Sequence, residues 1–247
     1  MSVNYNQLAD EYNKYRKPDP HIAGKIWKHI KGSMRVLNVG AGLGSYEPEN
    51  CEVVAIEPSR EMIATRKSST TRVLQGYAEE LPFEDGEFDV SMAVLTLHHW
   101  SNIQVGLSEM SRVTKDKVIL LTWVGHSENF WLEDYLPEIK RVDENLFPSL
   151  SELENYLGGI SVENVEIPYD CTDGFMCAYW RRPDSYLNSG IRKAISTFSR
   201  IPDISTRLVS LRNDIANGAW KEKYGHLLSK EFLDLGYRLV IHQISNA

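Results

Sequence analysis

The sequence predicts an α/β fold built on a doubly wound parallel sheet, and three observations carry that prediction. Short segments rich in Val, Ile and Leu alternate with amphipathic helical segments between residues 34 and 123, the pattern of strands buried on both faces and joined by helical crossovers. The first of these strands runs into a glycine loop, VLNVGAGLG at 36–44. The second ends in an acid, Glu57.

Each element follows from its own spacing. Tyr5, Leu8, Ala9, Tyr12 and Tyr15 recur at three- and four-residue steps, placing them on one face of a helix that stops before Pro18. Ile22, Ile26, Trp27 and Ile30 repeat the pattern in a second helix. Strands are predicted at 34–40, 52–57, 72–76, 88–97 and 117–123. Between them, a helix at 59–67 has Ser59 as its cap with Met62 and Ile63 facing inward, and another at 101–113 carries Ile103, Leu107 and Met110. Residues 126–160 are helical in pattern, with Ser149 and Glu152 spaced as a capping box. A sixth strand is expected at 161–167 and a final one at 236–244, through Tyr237, Leu239 and Ile241. Helical stretches are expected at 184–200 and 204–217 inside the segment that separates those two strands.

Composition limits the partners. There are 34 acidic and 27 basic residues, a formal charge of −7, which argues against a surface that neutralises nucleic-acid phosphates. With 42% hydrophobic and 25% charged residues, the chain has ordinary globular composition. No segment approaches the roughly 20 apolar residues that span a bilayer, so no membrane partner is expected. Polar residues open the chain with no basic-then-apolar leader, so a cytoplasmic location is expected. Cys51, Cys171 and Cys177 are sparse and match no zinc or disulfide spacing; they read as reduced thiols.

The glycine loop and the acid point to a nucleoside. Gly40 and Gly42 let the backbone turn tightly and approach a ligand closely, and an acid at Glu57 can accept both hydroxyls of a ribose. Residues 45–51 are too few, and Pro48 too disruptive, for a helix that would face a pyrophosphate. An adenosine without a pyrophosphate fits better.

With these residues in hand, the sequence resembles the class I S-adenosylmethionine-dependent methyltransferases of the small-molecule type, and is similar in its core to the ubiquinone/menaquinone C-methyltransferase group. VLNVGAGLG resembles the family's first motif and VVAIEPS at 53–59 its ribose-binding strand. GYAEELPFEDGEFD at 76–89 resembles the adenine-contacting segment, and AVLTLHHW at 93–100 the end of the fourth strand. YNQLADEYNKYRKPDP at 5–20 resembles a helix that closes over the cofactor. The resemblance implies a Rossmann-like seven-stranded methyltransferase sheet, mostly parallel with the last strand antiparallel, preceded by helices and interrupted by a helical insertion. It implies S-adenosyl-L-methionine held by the backbone of Gly40, Ala41 and Gly42, with Glu57 on the ribose and Pro58 and Met62 on the adenine. Ala78 and Glu79 would lie at the adenine edge, Leu95 beside the cofactor, and Arg16 at its carboxylate. Asn38 stands where the family usually has Asp, and Tyr77 where an acid often meets the adenine amino group.

The chain is then expected to form one domain over 1–247. Within it, 1–33 is a helical cap, 34–125 the cofactor core, 126–160 a helical segment and 168–235 a lid or substrate platform with few apolar residues for a core of its own.

Methyl transfer from a sulfonium asks mainly for alignment and exclusion of water. His98 and His99, beyond the fourth strand, are the candidate bases, against the alternative that they shape and pack the pocket. Trp131, Tyr135, Asp170, Phe175, Tyr179 and Trp180 are candidate acceptor contacts, with anchoring of the insertion as the competing reading. No carboxylate cluster follows the fourth strand, so no metal is expected. The expected function is methylation of a small-molecule acceptor. The rivals are a nicotinamide-dependent oxidoreductase and a cofactor-sensing module without turnover.

Overall fold

The computed structural model describes residues 14–66, 70–125 and 130–244. Of the residues named for the predicted first helix, Tyr5, Leu8, Ala9 and Tyr12 lie outside them and Tyr15 within. The described residues divide into two compact units, one formed by 20–66, 70–124, 147–165 and 237–244, the other by 14–19, 125, 130–146 and 166–236.

The first unit is the sheet. Its strands are β1 (Arg35–Val39), β2 (Glu52–Glu57), β3 (Arg72–Gln75), β4 (Phe88–Val94), β5 (Thr114–Trp123), β6 (Ser161–Asn164) and β9 (Tyr237–Gln243), in the order β3-β2-β1-β4-β5-β9-β6. The first five pair in parallel, and β9 runs antiparallel to both β5 and β6. This is the seven-stranded sheet expected, with its last strand reversed. Helices α1 (Pro20–Ile30), α2 (Arg60–Thr65), α3 (Ile103–Arg112) and α5 (Leu150–Leu157) belong to it. Leu37, Val54, Ile56, Leu107, Leu120 and Val240 are fully buried within one cluster of apolar side chains.

Local chemistry sets the boundaries. Ser59 caps α2 by accepting from Met62 N, and Ser149 and Glu152 form the expected capping box on α5. Strand β4 stops at Val94 instead of running to Leu97, because Leu95 turns to φ 51 and Leu97–His99 close a 3₁₀ turn. Helix α3 is capped by Asn102, whose Oδ1 accepts from Val105 N at 3.1 Å. Ser101 does not cap it, since its hydroxyl donates to Glu79. Strand β5 begins at Thr114, three residues earlier than the apolar run suggests, because Thr114 already pairs with Phe88.

The predicted strand 161–167 is two strands. Residues 161–164 join the large sheet as β6, whereas β7 (Ile167–Pro168) pairs with β8 (Phe232–Leu233) in a separate two-stranded sheet.

The second unit is built from α4 (Glu138–Leu146), α6 (Ser189–Lys193), α7 (Ser205–Asn217), α8 (Ala219–Tyr224), the β7–β8 pair and several 3₁₀ turns. The expected helix at 184–200 is a 3₁₀ turn at Pro183–Leu187, then α6, then a second 3₁₀ turn at Ser196–Arg200. Its interior is aromatic: Phe130, Trp131, Trp180, Tyr186 and Trp220 are all buried. Trp131 meets Trp220 edge-on at 5.2 Å and Tyr186 at 5.6 Å, arrangements that aromatic rings favour. The segment 168–235 does not form this core alone: Phe130, Trp131, Leu132, Leu136 and Ile139, from an earlier stretch of chain, are buried in the same unit.

No helix among the described residues is long and apolar enough to cross a membrane. None of Cys51, Cys171 and Cys177 is in a disulfide.

Candidate cofactor site

Strand order reverses direction between β1 and β4, and in open α/β sheets ligands bind beyond the carboxyl ends of the strands at such a switch point. The glycine loop leaves β1 there. The amides of Gly40 and Ala41 both donate to Ile56 O, at 2.9 and 3.0 Å. Gly42 N donates to Glu57 Oε2 at 2.7 Å, and Ser59 N to Oε1 at 2.9 Å. The loop is therefore fastened to the end of β2, and Glu57, only 6% exposed, holds both the loop and the start of α2. A carboxylate offers about four lone-pair positions, so capacity for a diol remains.

Close approach explains Gly40. Its φ is 68°, and a Cβ there would lie 2.1 Å from the hydroxyl oxygen of Thr96, a buried residue just past β4. At Gly42, where φ is 50°, a Cβ would meet no protein atom within 4 Å. Residues 42–46 continue as turns and not as a helix, as the short spacing before β2 requires. The arrangement fits an adenosine bearing a flexible chain and lacks the helix that a pyrophosphate would face.

The segment 77–83 is held from two directions. Arg112 donates to Leu81 O and Phe83 O, and Glu109 accepts from Leu81 N. Glu79 Oε1 accepts from Ser101 N, the Ser101 hydroxyl and Asn102 N. Burial pushes the Glu79 carboxyl up, but these hydrogen bonds outweigh it and its pKa lies below the ordinary value. One oxygen of Glu79 thus serves the turn into α3. Ala78 is buried, Pro58 and Tyr77 are exposed, and Met62 and Leu95 are half-buried.

His98 and His99 lie in the 3₁₀ turn after β4, with their rings 4.0 Å apart and that of His98 4.4 Å from Phe147. His98 is half-buried and His99 exposed.

All these groups lie in the sheet unit. Arg16 and the candidate acceptor contacts lie in the other. There, Arg16 Nε donates to Asp173 Oδ1 at 2.5 Å, so its guanidinium already has a carboxylate partner within the protein. Trp180 is fully buried and donates to Ile167 O, while Trp131 donates to Trp180 O. Phe175 and Tyr179 are buried, Tyr135 is half-buried with its hydroxyl on Asp214 Oδ2 at 2.8 Å, and Asp170 is exposed.

Comparison with known proteins agrees with this fold. A profile of the methyltransferase domain matches residues 37–122. The crystal structure of a candidate methyltransferase from an antibiotic biosynthesis pathway of Anabaena variabilis superposes with a TM-score of 0.87 at 30% identity, over 93% of this chain and 99% of that one. The chain belongs to the S-adenosylmethionine-dependent methyltransferases. Among curated methyltransferase relatives, the uncharacterised YcgJ of Bacillus subtilis is 30% identical over 121 residues, 44% of each chain. The ubiquinone/menaquinone biosynthesis C-methyltransferase UbiE of Citrifermentans bemidjiense is 30% identical over 109 residues, 37% of this chain and 46% of that one. The chain thus spans about half the length of the curated methyltransferases it matches.

Thr96, Glu47 and Arg66 stand at or beside the glycine loop without having been singled out in the sequence. Only Thr96 carried a signal, as the last residue before the LHH turn.

Proposed function

We propose that the protein transfers the methyl group of S-adenosylmethionine to a small-molecule acceptor by in-line displacement. The observation that carries this reading is Glu57, a buried acid at the end of β2 whose two oxygens already position the glycine loop and the start of α2. Its remaining lone pairs take the ribose hydroxyls. Because the amides of Gly40, Ala41 and Gly42 donate inside the protein, the loop meets the cofactor's amino group through carbonyl oxygen. Pro58 and Met62 flank the adenine, with Ala78 at its edge and Leu95 beside the reacting end. Glu79 contributes by fixing the turn that leads into α3.

When bound, the cofactor supplies an electrophilic methyl group on a sulfonium. The protein's tasks are then alignment, exclusion of water and, for an acceptor that must lose a proton, a base. His98 is the group we assign to that last task. Two names support a small acceptor: UbiE is a quinone-biosynthesis enzyme, and the Anabaena protein is ascribed to an antibiotic pathway. The acidic balance of the chain agrees with an acceptor other than nucleic acid.

The test is transfer of labelled methyl from S-adenosylmethionine into a metabolite extract. Label is expected in a low-molecular-mass product, and His98→Ala should lower its rate of formation more than it lowers affinity for S-adenosylhomocysteine. Label in no small product, with the cofactor bound, would reject the reading.

A further inference from the structure

The loop between Gly40 and β2 lacks a helix to hold it, yet its conformation is fixed from several sides. Arg66, immediately after α2, spans both ends of it. Its Nη1 donates to Gly42 O at 3.1 Å, while Nη2 lies 2.6 Å from each carboxylate oxygen of Glu47. The two side chains are only 5% and 10% exposed. Glu47 also accepts from Asn38 Nδ2 and from the Thr71 hydroxyl, each at 3.1 Å. Between the two ends, Tyr46 is buried with φ 66°, and its carbonyl accepts from Trp27 Nε1 at 2.9 Å.

We infer that the Arg66–Glu47 pair is a positioning clasp that sets the glycine loop for the cofactor, doing with an ion pair what a following helix would otherwise do. The inference rests on the cofactor reading given above. Three features of the sequence follow from it. Residue 66 is an arginine because a planar guanidinium reaches a carbonyl and a carboxylate at once, which an ammonium cannot do in the same geometry. Residue 44 is a glycine because a Cβ there would lie 2.7 Å from Arg66 Nη2 and 3.0 Å from Glu47 Oε2. Residue 38 is an amide and not an acid because a carboxylate at that position would face Glu47 with like charge. The pair is nearly closed off from water, so removing Arg66 leaves the Glu47 charge without its counter-ion and takes a donor from the carbonyl of Gly42.

The experiment is calorimetric titration of the full chain with S-adenosylhomocysteine, for the wild type, Arg66→Ala, Arg66→Lys and Asn38→Asp, with far-UV circular dichroism to confirm folding. Arg66→Ala should bind about tenfold or more weakly, and millimolar guanidinium should restore much of the loss. The same addition should do nothing for Glu57→Ala. Arg66→Lys keeps the charge but should still lose affinity by about fivefold, and Asn38→Asp should weaken binding instead of improving it. Should Arg66→Ala fail to fold, the lysine variant decides. Wild-type protein that binds the ligand beside an Arg66→Lys protein that binds it equally would overturn the clasp alone. Wild-type protein that binds none removes the cofactor reading and the clasp with it.

Discussion

In the sheet unit, buried polar side chains hold a loop by its backbone: Glu57 through the amides of Gly42 and Ser59, Arg66 through the carbonyl of Gly42. In the aromatic unit rings pack on rings and use their polar tips to anchor themselves, as Trp131 does on Trp180 O, Trp180 on Ile167 O and Tyr135 on Asp214. The contrast concerns what each interior controls. Hydrogen bonds to backbone set the path of a loop, whereas edge-on rings fill volume and set a shape.

The largest effect that would sharpen this contrast is Trp131→Ala. Removing a ring that touches Phe130, Tyr186, Trp220 and Tyr224 should cost about 3–5 kcal/mol, read as a lower urea midpoint. A cost near that of a surface substitution would mean the rings do not carry the unit's stability. Next is Glu57→Ala, expected to weaken S-adenosylhomocysteine binding by about 1.5–3 kcal/mol, the range for hydrogen bonds to a charged group. Unchanged affinity by calorimetry would remove the ribose assignment.

The smallest effect is the response to pH. Hydrogen bonds from Arg35 N and Met34 N hold Asp89 below the usual carboxylate range, and Arg112 does the same for Glu109. A depressed carboxyl stabilises the fold above its unfolded pKa, so this contribution should fade as pH falls below about 4. Burial raises Tyr135, Tyr179 and Tyr186 of the aromatic unit. A raised phenol has the opposite sign: its contribution is complete below about 10 and fades as pH rises beyond that. Tyrosinate absorbance followed with circular dichroism should therefore show part of the phenols ionising only as structure is lost. Phenols that all titrate together near their ordinary value, with the fold intact, would contradict their burial.

Much of the sheet was legible because its signals are local. A strand's apolar run, the serine before α2 and the Ser149–Glu152 spacing each act within a few residues. The division of 161–167 was not legible, because alternation along a strand says nothing about which partner it pairs with, and Ile167 pairs with Leu233. The clasp was equally hidden: Glu47 and Arg66 have no periodic relation and meet only because β1 and β2 lie side by side. Thr96 explains Gly40 for the same long-range reason. Among the proposed contacts, Glu57 and the glycines were read from a motif. The acceptor-side aromatics were read from composition, which does not distinguish rings facing a ligand from rings facing one another.

The position of β9 has a bearing on how the protein is made. Residues 237–243 leave the ribosome after every other strand of the sheet, yet they insert between β5 and β6. Until they emerge, the apolar strand β5 presents an unpaired edge to the cell, the kind of surface that recruits other extended chains. Translation of the whole intervening segment, 124–236, must pass before that edge is closed.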